Sequence, residues 1–419
     1  MKQLQIAIVT GHAESILIPL LQLKPDEVLL IASDKMASQL DRCAVILKDQ
    51  LPQGTIIEKR GGLADNEPEA IAEYAEKLAQ ELADRADIDD YEVLFNSTGG
   101  TKMMSLLFQE ALRSCYAKVL YLDSDAGQIY KLGDTLAPEH FVSIPIEPVL
   151  DLKLYLRING KNPLKASSDD AGWRELVQGR KTLTKYFAKN AVKRVGLLGN
   201  LNFMILAKTK HSDPVLIQAK GKLAHDELAA YPLRSLKNKP RGLECDILRQ
   251  CAESGLIGWD QEKPTEIYFN SVDAAKYLSG NWLEEYTWHC MQDAGLEDIA
   301  CSLAIGDQKG KTQDVRNEFD CVAVHKNRML VLECKTSKLG HNEDGKDQDI
   351  LHKLYSITEQ SAGLYGSKVL VLARDFDDNN DQKTNLQRAK IMGVNVVATA
   401  QLQNLPKMLR AWKETGRFE

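Results

Sequence analysis

Short apolar runs alternate with helix-like patterns through the first third of the chain. Strand-length runs occur at residues 4–10, 27–33, 55–59, 92–96 and 118–122. Between them, residues 67–85 and 101–113 repeat apolar side chains at the spacing of one helix face. Strands that alternate with helices predict a parallel α/β sheet of the Rossmann type.

Three of these predicted strands end in polar, flexible residues. Thr10-Gly11-His12 follow the first strand, Ser33-Asp34-Lys35 end the second, and residues 96–102 follow the fourth. In parallel α/β sheets, ligands bind beyond the carboxyl ends of the strands. We therefore expect the three segments to lie at one binding edge.

The loop at residues 96–102 carries the strongest signal of the three. It brings two glycines and three hydroxyl groups to the first turn of a helix, where free N–H groups and the helix dipole favour a phosphate. The alternative is a glycine turn in which Ser97 or Thr98 only caps the helix. Neither a P-loop nor a GxGxxG dinucleotide motif is present.

A second pattern, at residues 317–335, predicts a β-hairpin buried on both faces. If Lys326 and Asn327 are the two turn residues, Asp320 lies opposite Glu333. Lys335 then shares their face, because side chains alternate along a strand. A three-residue turn would shift this pairing by one residue.

The same alternation would place Phe319 and Cys321 together on the opposite face of the hairpin. Both faces are then largely apolar, so the strand has little room for charge. Opposed, buried carboxylates destabilise a sheet by several kcal/mol unless something compensates them. A Mg²⁺ ion between Asp320 and Glu333 would do so, with Lys335 beside it. The alternative is a structural ion pair between Lys335 and Glu333 or Glu318.

This hairpin resembles the PD-(D/E)xK nuclease superfamily, in which an Asp on one strand precedes Glu-x-Lys on the next. The matching residues here are Asp320 and Glu333-Cys334-Lys335. The superfamily adds a carboxylate from an earlier helix; Glu284 best matches that position, and Glu285 is the second choice. The resemblance implies a restriction-endonuclease-like α/β domain in which Glu284, Asp320 and Glu333 bind the metal and, with Lys335, form the catalytic set.

Taken together, the amino-terminal loops and the hairpin resemble CRISPR-associated ancillary nucleases that join a CARF sensor domain to a PD-(D/E)xK effector. The resemblance implies a homodimer that binds a cyclic oligoadenylate, usually cyclic tetra-adenylate, and so activates a Mg²⁺- or Mn²⁺-dependent endonuclease of type III CRISPR defence. The substrate would be DNA, either single-stranded or supercoiled, and RNA is a second candidate. The implied ligand-binding residues are Thr10, Gly11, His12, Ser33, Asp34, Ser97, Thr98, Gly99, Gly100, Thr101 and Lys102.

The length of 419 residues suffices for two or three domains. We predict a CARF domain at 1–148, a basic helical connector at 149–264 and a nuclease domain at 265–419. In the connector, lysines recur every fourth residue from 181 to 193, either as a phosphate track or as a solvated helix face. Residues 214–280 suggest a winged-helix-like insert, which would either read DNA or act as a spacer.

Composition and charge limit the classes of protein to which the chain can belong. The net charge of −6 gives no overall nucleic-acid footprint, so contacts with DNA must use local basic patches. No apolar run approaches the roughly 18 residues that a membrane span needs, and the chain starts without a signal-peptide pattern. Eight cysteines without a CxxC pair indicate reduced thiols, hence a cytoplasmic protein without structural zinc or disulfides.

Two rival functions use the same features differently. A ligand-responsive transcriptional regulator without catalysis would read duplex DNA through residues 214–280, and its hairpin would be structural. An unregulated restriction-like nuclease would leave the glycine loop at 96–102 without a role. The buried pair of Asp320 and Glu333 separates an enzyme from the regulator, because a protein without catalysis has no evident reason to keep it.

Overall fold

The structure is a computed structural model of the chain. It describes residues 1–133, 141–194, 196–199, 201, 207–210, 213–216, 233–236, 238–307, 317–336, 346–375 and 380–418. In these residues, two large sheets account for most of the strands, and helices lie between and outside them.

The first sheet has seven strands and occupies the amino-terminal third of the chain. Its strands are β1 (Lys2–Ile8), β2 (Glu27–Ser33), β3 (Ile56–Leu63), β4 (Tyr91–Asn96), β5 (Lys118–Asp123), β6 (Gln128–Leu132) and β7 (Val142–Pro145). They lie in the order β3-β2-β1-β4-β5-β6-β7; β1 to β5 are parallel, and β6 and β7 extend one edge in antiparallel fashion. The connecting helices are α1 (Glu14–Leu23), α2 (Ala37–Gln50), α3 (Pro68–Ala83) and α4 (Lys102–Leu112). The strand order reverses between β1 and β4, which is where such sheets bind ligands.

The middle of the chain contributes helices and short strands. Its first elements are α5 (Leu152–Ile158), β8 (Lys161–Pro163), α6 (Ala171–Gly179), α7 (Lys181–Asn190), β9 (Ala207–Lys210) and β10 (Asp213–Leu216). They are followed by β11 (Leu233–Ser235), α8 (Leu243–Glu253), β12 (Ile257–Gly258), β13 (Glu266–Phe269) and α9 (Val272–Lys276). Strands β11, β13 and β12 form a small antiparallel sheet beside α8. Helix α8 and the antiparallel pair β12–β13 are elements that a winged-helix-like insert would contain, and the winged-helix likeness itself stays a prediction.

The second sheet has six strands. Its carboxy-terminal strands are β14 (Asp298–Asp307), β15 (Asn317–His325), β16 (Arg328–Lys335), β17 (Gly366–Leu372) and β18 (Val394–Val397). The order is β18-β17-β16-β15-β14-β8, so one edge strand comes from the predicted connector. The accompanying helices are α10 (Trp282–Asp293), α11 (Lys346–Ala362), α12 (Asn380–Ile391) and α13 (Leu405–Thr415).

Three hydrophobic clusters hold these layers together. One lies between the first sheet and helices α3 and α4, and a second lies between the second sheet and helices α7, α10 and α13. The third lies between the two sheets, and it joins residues such as Leu30 and Leu154 to Val322 and Val331. The two sheets therefore share one apolar layer.

The predicted fold class is confirmed: a Rossmann-type parallel sheet comes first, and a second α/β domain follows. The apolar pattern of the sequence does not predict strands β6 to β11 or strand β14. No helix among the described residues is both long and apolar enough to cross a membrane.

Candidate active site and ligand-binding edge

Strands β15 and β16 form the predicted hairpin in the predicted register. Val324 pairs with Met329, and His325 pairs with Arg328. The two turn residues, Lys326 and Asn327, have φ angles of +48° and +60°, as a two-residue type I′ turn requires. The two-residue turn is confirmed, and the three-residue alternative is excluded.

The side-chain alternation that we expected breaks at Asp320. Phe319 packs in the layer between the sheets with Val322, whereas Cys321 packs against α10 on the other face. The expectation that Phe319 and Cys321 share a face is therefore wrong. The cause is a local distortion: the regular pairing of β15 with β16 stops at Cys321, and the N–H of Cys334 donates instead to Asp320 Oδ2, at 2.7 Å.

Lys335 bridges the two strand carboxylates. Its Nζ lies 2.5 Å from Glu333 Oε1 and 3.7 Å from Asp320 Oδ2. The Glu333 side chain is 10% exposed and that of Asp320 is 16% exposed, so the cluster is shielded from water but not sealed. The two acids raise the pKa of Lys335 against the opposing effect of burial, which keeps its side chain charged. The structure thus brings together three of the four predicted catalytic residues.

Glu284 is the fourth member of this cluster. It lies in the first turn of α10 and accepts a hydrogen bond from Ser302 Oγ at 3.1 Å. Its carboxylate also interacts electrostatically with that of Asp320. Its neighbour Glu285 points elsewhere, into a buried bidentate ion pair with Arg180. The open choice between the two glutamates therefore falls on Glu284 by position.

Burial raises the pKa of two carboxyl groups of this cluster, those of Glu284 and Asp320. Desolvation, reinforced by the charge of Asp320, raises the pKa of Glu284 to about 8. Desolvation, reinforced by Glu333, raises the pKa of Asp320 to about 6. At neutral pH the Glu284 carboxyl group therefore holds a proton, which a metal ion bound to that carboxylate would have to displace.

The donor set fits a hard divalent cation, but its arrangement is not that of a finished metal site. Carboxylate oxygens are the ligands that Mg²⁺ and Mn²⁺ prefer, and this site offers three carboxylate side chains. Among the described residues, however, no three His, Cys, Asp or Glu side chains stand in metal-binding geometry. Asp320 accepts a hydrogen bond from the Cys334 N–H, and Glu333 pairs with Lys335, so these contacts would have to loosen for a metal ion to bind.

The predicted ligand segments meet at the carboxyl ends of β2, β1 and β4, which are adjacent strands. In the loop after β4, Ser97 Oγ donates to Leu120 O at 3.1 Å, and Thr98 Oγ1 accepts the N–H of Leu122 at 2.8 Å. These hydroxyls hold the loop against β5. Neither caps α4; Thr101 does, because its Oγ1 accepts the Met104 N–H.

The structure explains both glycines of this loop, one by close packing and the other by its backbone conformation. A Cβ on Gly99 would lie 2.2 Å from Ile8 O, and Gly100 has a φ of +78°. The loop therefore presses onto the end of β1, next to Thr10 and His12. Polar side chains at the end of β2 already have partners within the protein. Ser33 hydrogen-bonds with Asp65, and Asp65 also pairs with Lys35 at 3.0 Å.

Two family models match the chain. Residues 17–155 match the Card1 CARF domain, and residues 271–416 match the Card1-like endonuclease domain. The chain belongs to the CRISPR-associated nucleases that carry a CARF domain. Its carboxy-terminal part is an endonuclease domain, so the protein is an enzyme, and these matches favour the nuclease over the transcriptional regulator.

Solved structures share the fold over the whole length. Can2 from Sulfobacillus thermosulfidooxidans, solved with cyclic tetra-adenylate, aligns with a TM-score of 0.72 and 19% identity, covering 98% of each chain. Protein VC1899 from Vibrio cholerae aligns with a TM-score of 0.75 and 19% identity, covering 100% of this chain and 99% of that one. A search of curated protein sequences returned no match.

The lysine series of the connector is partly neutralised by the nuclease domain. Lys181 and Lys185 lie 2.9 and 2.7 Å from the carboxylate of Asp293 on α10. Lys189 and Lys193 are exposed. The phosphate track therefore loses two of its four lysines, and the rest of the series agrees with a solvated helix face.

The CARF and nuclease domains are in direct contact through the hairpin turn. Asn327 Oδ1 accepts the N–H groups of Val149 and Leu150, both at 2.9 Å, and Asn327 Nδ2 donates to Glu147 O at 2.7 Å. Asn327 is only 4% exposed. The turn between the two strands of the candidate active site is therefore bonded to the segment that leaves the CARF domain.

A second contact starts at the ligand-binding edge itself. Glu14, just after the loop at Thr10–His12, is fully buried and accepts from Asn159 Nδ2 at 2.7 Å. Gly363, just after α11, approaches so closely that a Cβ would lie 3.0 Å from Glu14 Oε1 and 3.2 Å from His12 Nδ1. The predicted ligand residue His12 thus touches the nuclease domain.

Proposed function

We propose that the chain is a metal-dependent endonuclease that a cyclic oligoadenylate switches on. Cyclic tetra-adenylate is the proposed activator, and the proposed substrates are single-stranded or supercoiled DNA, with RNA as a further candidate. The observation that carries this proposal is the cluster of Glu284, Asp320, Glu333 and Lys335 inside an endonuclease domain that is joined to a CARF domain.

Each member of the cluster has a role in hydrolysis of the phosphodiester. Asp320 and Glu333, with Glu284, would hold Mg²⁺ or Mn²⁺. Such an ion supplies Lewis-acid polarisation of the phosphate and a lower pKa for bound water. Lys335 lies within hydrogen-bonding reach of Glu333, where it orients the attacking water and offsets the charge that builds up on the phosphate.

The ligand-binding edge supports the regulatory half of the proposal. The CARF match covers β2 to β7, and the Can2 structure with the same fold was solved with cyclic tetra-adenylate. The proposed ligand residues are Thr10, Gly11, His12, Ser33, Asp34, Ser97, Thr98, Gly99, Gly100, Thr101 and Lys102. The first turn of α4 directs its N–H groups toward this edge and offers a place for a phosphate.

The proposal is tested by adding metal and activator separately. Purified full-length protein is incubated with single-stranded DNA, supercoiled plasmid and RNA, with and without Mn²⁺ and cyclic tetra-adenylate. We expect cleavage only when both are present, and none after chelation with EDTA. Cleavage with metal alone would indicate an unregulated nuclease, and no cleavage under any condition would favour a regulator. A larger and a smaller ring, added in place of the tetramer, identify the activator.

We further propose a homodimer in which the ligand lies between two CARF domains. Helix α4, which starts at the ligand loop, exposes two large apolar side chains on one face: Met103 is 47% exposed and Leu106 is 64% exposed. The substitution Leu106→Glu is expected to weaken the dimer by about 30-fold or more, because it places a charge in a desolvated contact. Light scattering after size-exclusion chromatography measures the mass.

The matched control for this variant is Val45→Glu. Val45 lies on α2 and is 56% exposed, so the control adds the same charge at another apolar surface position. We expect it to leave the dimer intact. A wild-type chain that is monomeric both with and without cyclic tetra-adenylate would contradict the dimer.

The domain limits and the cellular compartment are also part of the proposal. The limits 1–148, 149–264 and 265–419 stay our proposal for the CARF domain, the connector and the nuclease domain, although β8 joins the nuclease sheet from within the connector. All eight cysteines are free thiols, which supports a reducing compartment, the cytoplasm.

A further inference from the structure

Strand β14 contains an irregular residue directly across from Asp320. Its pairing with β15 runs from Cys301 with Cys321 to Leu303 with Phe319, and it skips Ser302 and Asp320. Ser302 has a φ of +49°, in the left-handed region that residues other than glycine, asparagine and aspartate seldom adopt. A serine in that conformation within a ten-residue strand is strained.

The distortion reverses which face of the sheet the neighbouring side chains occupy. On β14, Ala300 packs between the two sheets and Cys301 packs against α10, as alternation requires. After Ser302 the order is inverted, because Leu303 and Ile305 both pack between the sheets. The same inversion occurs on β15 at Asp320. The two strands are therefore kinked together at one level of the sheet.

The kink gives the Ser302 hydroxyl a specific partner. Ser302 Oγ donates to Glu284 Oε2 at 3.1 Å, and this bond joins β14 to the first turn of α10. The bond fixes the orientation of the Glu284 carboxylate, which lies close enough to Asp320 for their charges to interact. Strained residues persist where the surrounding structure holds them, and they concentrate at functional sites.

We propose that Ser302 is a positioning residue: its hydroxyl orients the Glu284 carboxylate for the divalent cation, and the strained backbone of β14 exists to bring that hydroxyl there. The inference rests on the proposed metal-dependent function. It predicts that removal of the hydroxyl weakens metal binding by about 10–100-fold, the usual effect of losing a hydrogen bond that orients a ligand. The effect must appear without substrate or activator.

The experiment compares two variants that both lose the hydroxyl but change the strain differently. Ser302→Gly relieves the backbone strain and is expected to raise Tm by about 2 °C. Ser302→Ala keeps the strain and is expected to leave Tm unchanged or lower. Titration calorimetry with Mn²⁺ on the full chain is expected to show the same 10–100-fold weakening for both. If Mn²⁺ affinity falls equally in both variants, whatever their Tm, the loss is due to the missing hydroxyl group, which identifies Ser302 as a positioning residue.

Lys24→Gly is the matched control, because Lys24 also has a φ of +49° and is exposed at the end of α1, in the other domain. It is expected to raise Tm as Ser302→Gly does and to leave Mn²⁺ affinity within twofold of wild type. The inference is overturned if both Ser302 variants bind Mn²⁺ as tightly as wild type. It is also overturned if the change in Mn²⁺ affinity across the variants parallels the change in Tm.

A second reference separates this inference from the proposed function. Glu333→Gln removes a proposed metal ligand and is expected to abolish the calorimetric signal. If wild type binds no Mn²⁺, or if Glu333→Gln binds it normally, the proposed metal site fails and the role of Ser302 fails with it. If wild type binds and Glu333→Gln does not, equal affinities of wild type and the Ser302 variants overturn the positioning role alone.

Discussion

The Glu333→Gln substitution is expected to lower the rate of activated DNA cleavage by about a thousandfold. Glutamine keeps the shape of the side chain but removes the negative charge that would bind the cation and that holds Lys335 at 2.5 Å. Loss of a single electrostatic contact to a developing charge costs about 10²–10³-fold in rate. Cleavage of labelled single-stranded DNA with saturating Mn²⁺ and cyclic tetra-adenylate measures the effect.

Ligand binding should be unaffected by this change, because position 333 lies in the other domain. Equilibrium binding of labelled cyclic tetra-adenylate is therefore expected to stay within about twofold of wild type, less than half a kcal/mol. Glu297→Gln is the control: it removes an exposed carboxylate just before β14 and should retain full cleavage. Cleavage by Glu333→Gln at the wild-type rate would refute the catalytic assignment.

The Arg180→Met substitution is expected to have the largest effect on stability, a loss of about 3–5 kcal/mol in the free energy of unfolding. Arg180 is 8% exposed; its Nε donates to Glu285 Oε2 at 2.8 Å and its Nη1 to Asp273 Oδ2 at 3.0 Å. Methionine fills the space but leaves Glu285, which is 2% exposed, as an unpaired buried charge. Chemical denaturation measured by tryptophan fluorescence reports the change.

Two further variants identify the cause. The double substitution Arg180→Met with Glu285→Leu replaces the buried pair by apolar groups and should recover most of the lost stability. Lys181→Met removes the next cation along the chain, whose ion pair with Asp293 is partly exposed, and should cost no more than about 1 kcal/mol. An Arg180→Met variant as stable as Lys181→Met would contradict the buried-charge argument.

The hairpin shows how far local sequence can reach. Its register followed from a two-residue turn and from alternation, both of which are properties of neighbouring residues, and β15 and β16 pair accordingly. The face of Phe319 could not be obtained in this way. The kink at Asp320 lies opposite Ser302, on a strand that the sequence pattern does not reveal, and Ser302 in turn bonds to Glu284 on α10.

For a similar reason, the sequence alone does not decide between Glu284 and Glu285. Adjacent helix residues differ by about 100° in direction, so the sequence places one of them toward the sheet without saying which. The decision comes from Arg180, more than a hundred residues earlier, which engages Glu285. The loop at residues 96–102 was located from its own residues, whereas the attachment of Ser97 and Thr98 to β5 needed the assembled sheet.

The apolar layer between the two sheets has a practical consequence for anyone who wishes to study sensor and effector separately. Truncation near residue 148 would strip the covering from aliphatic side chains such as Leu30 and Leu154 on one side and Val322 and Val331 on the other. It would also leave the Asn327 amide without the main-chain partners at residues 147, 149 and 150. We expect fragments that end there to aggregate, because the truncation exposes a large hydrophobic surface. The CARF and nuclease domains are therefore best expressed and studied as one chain.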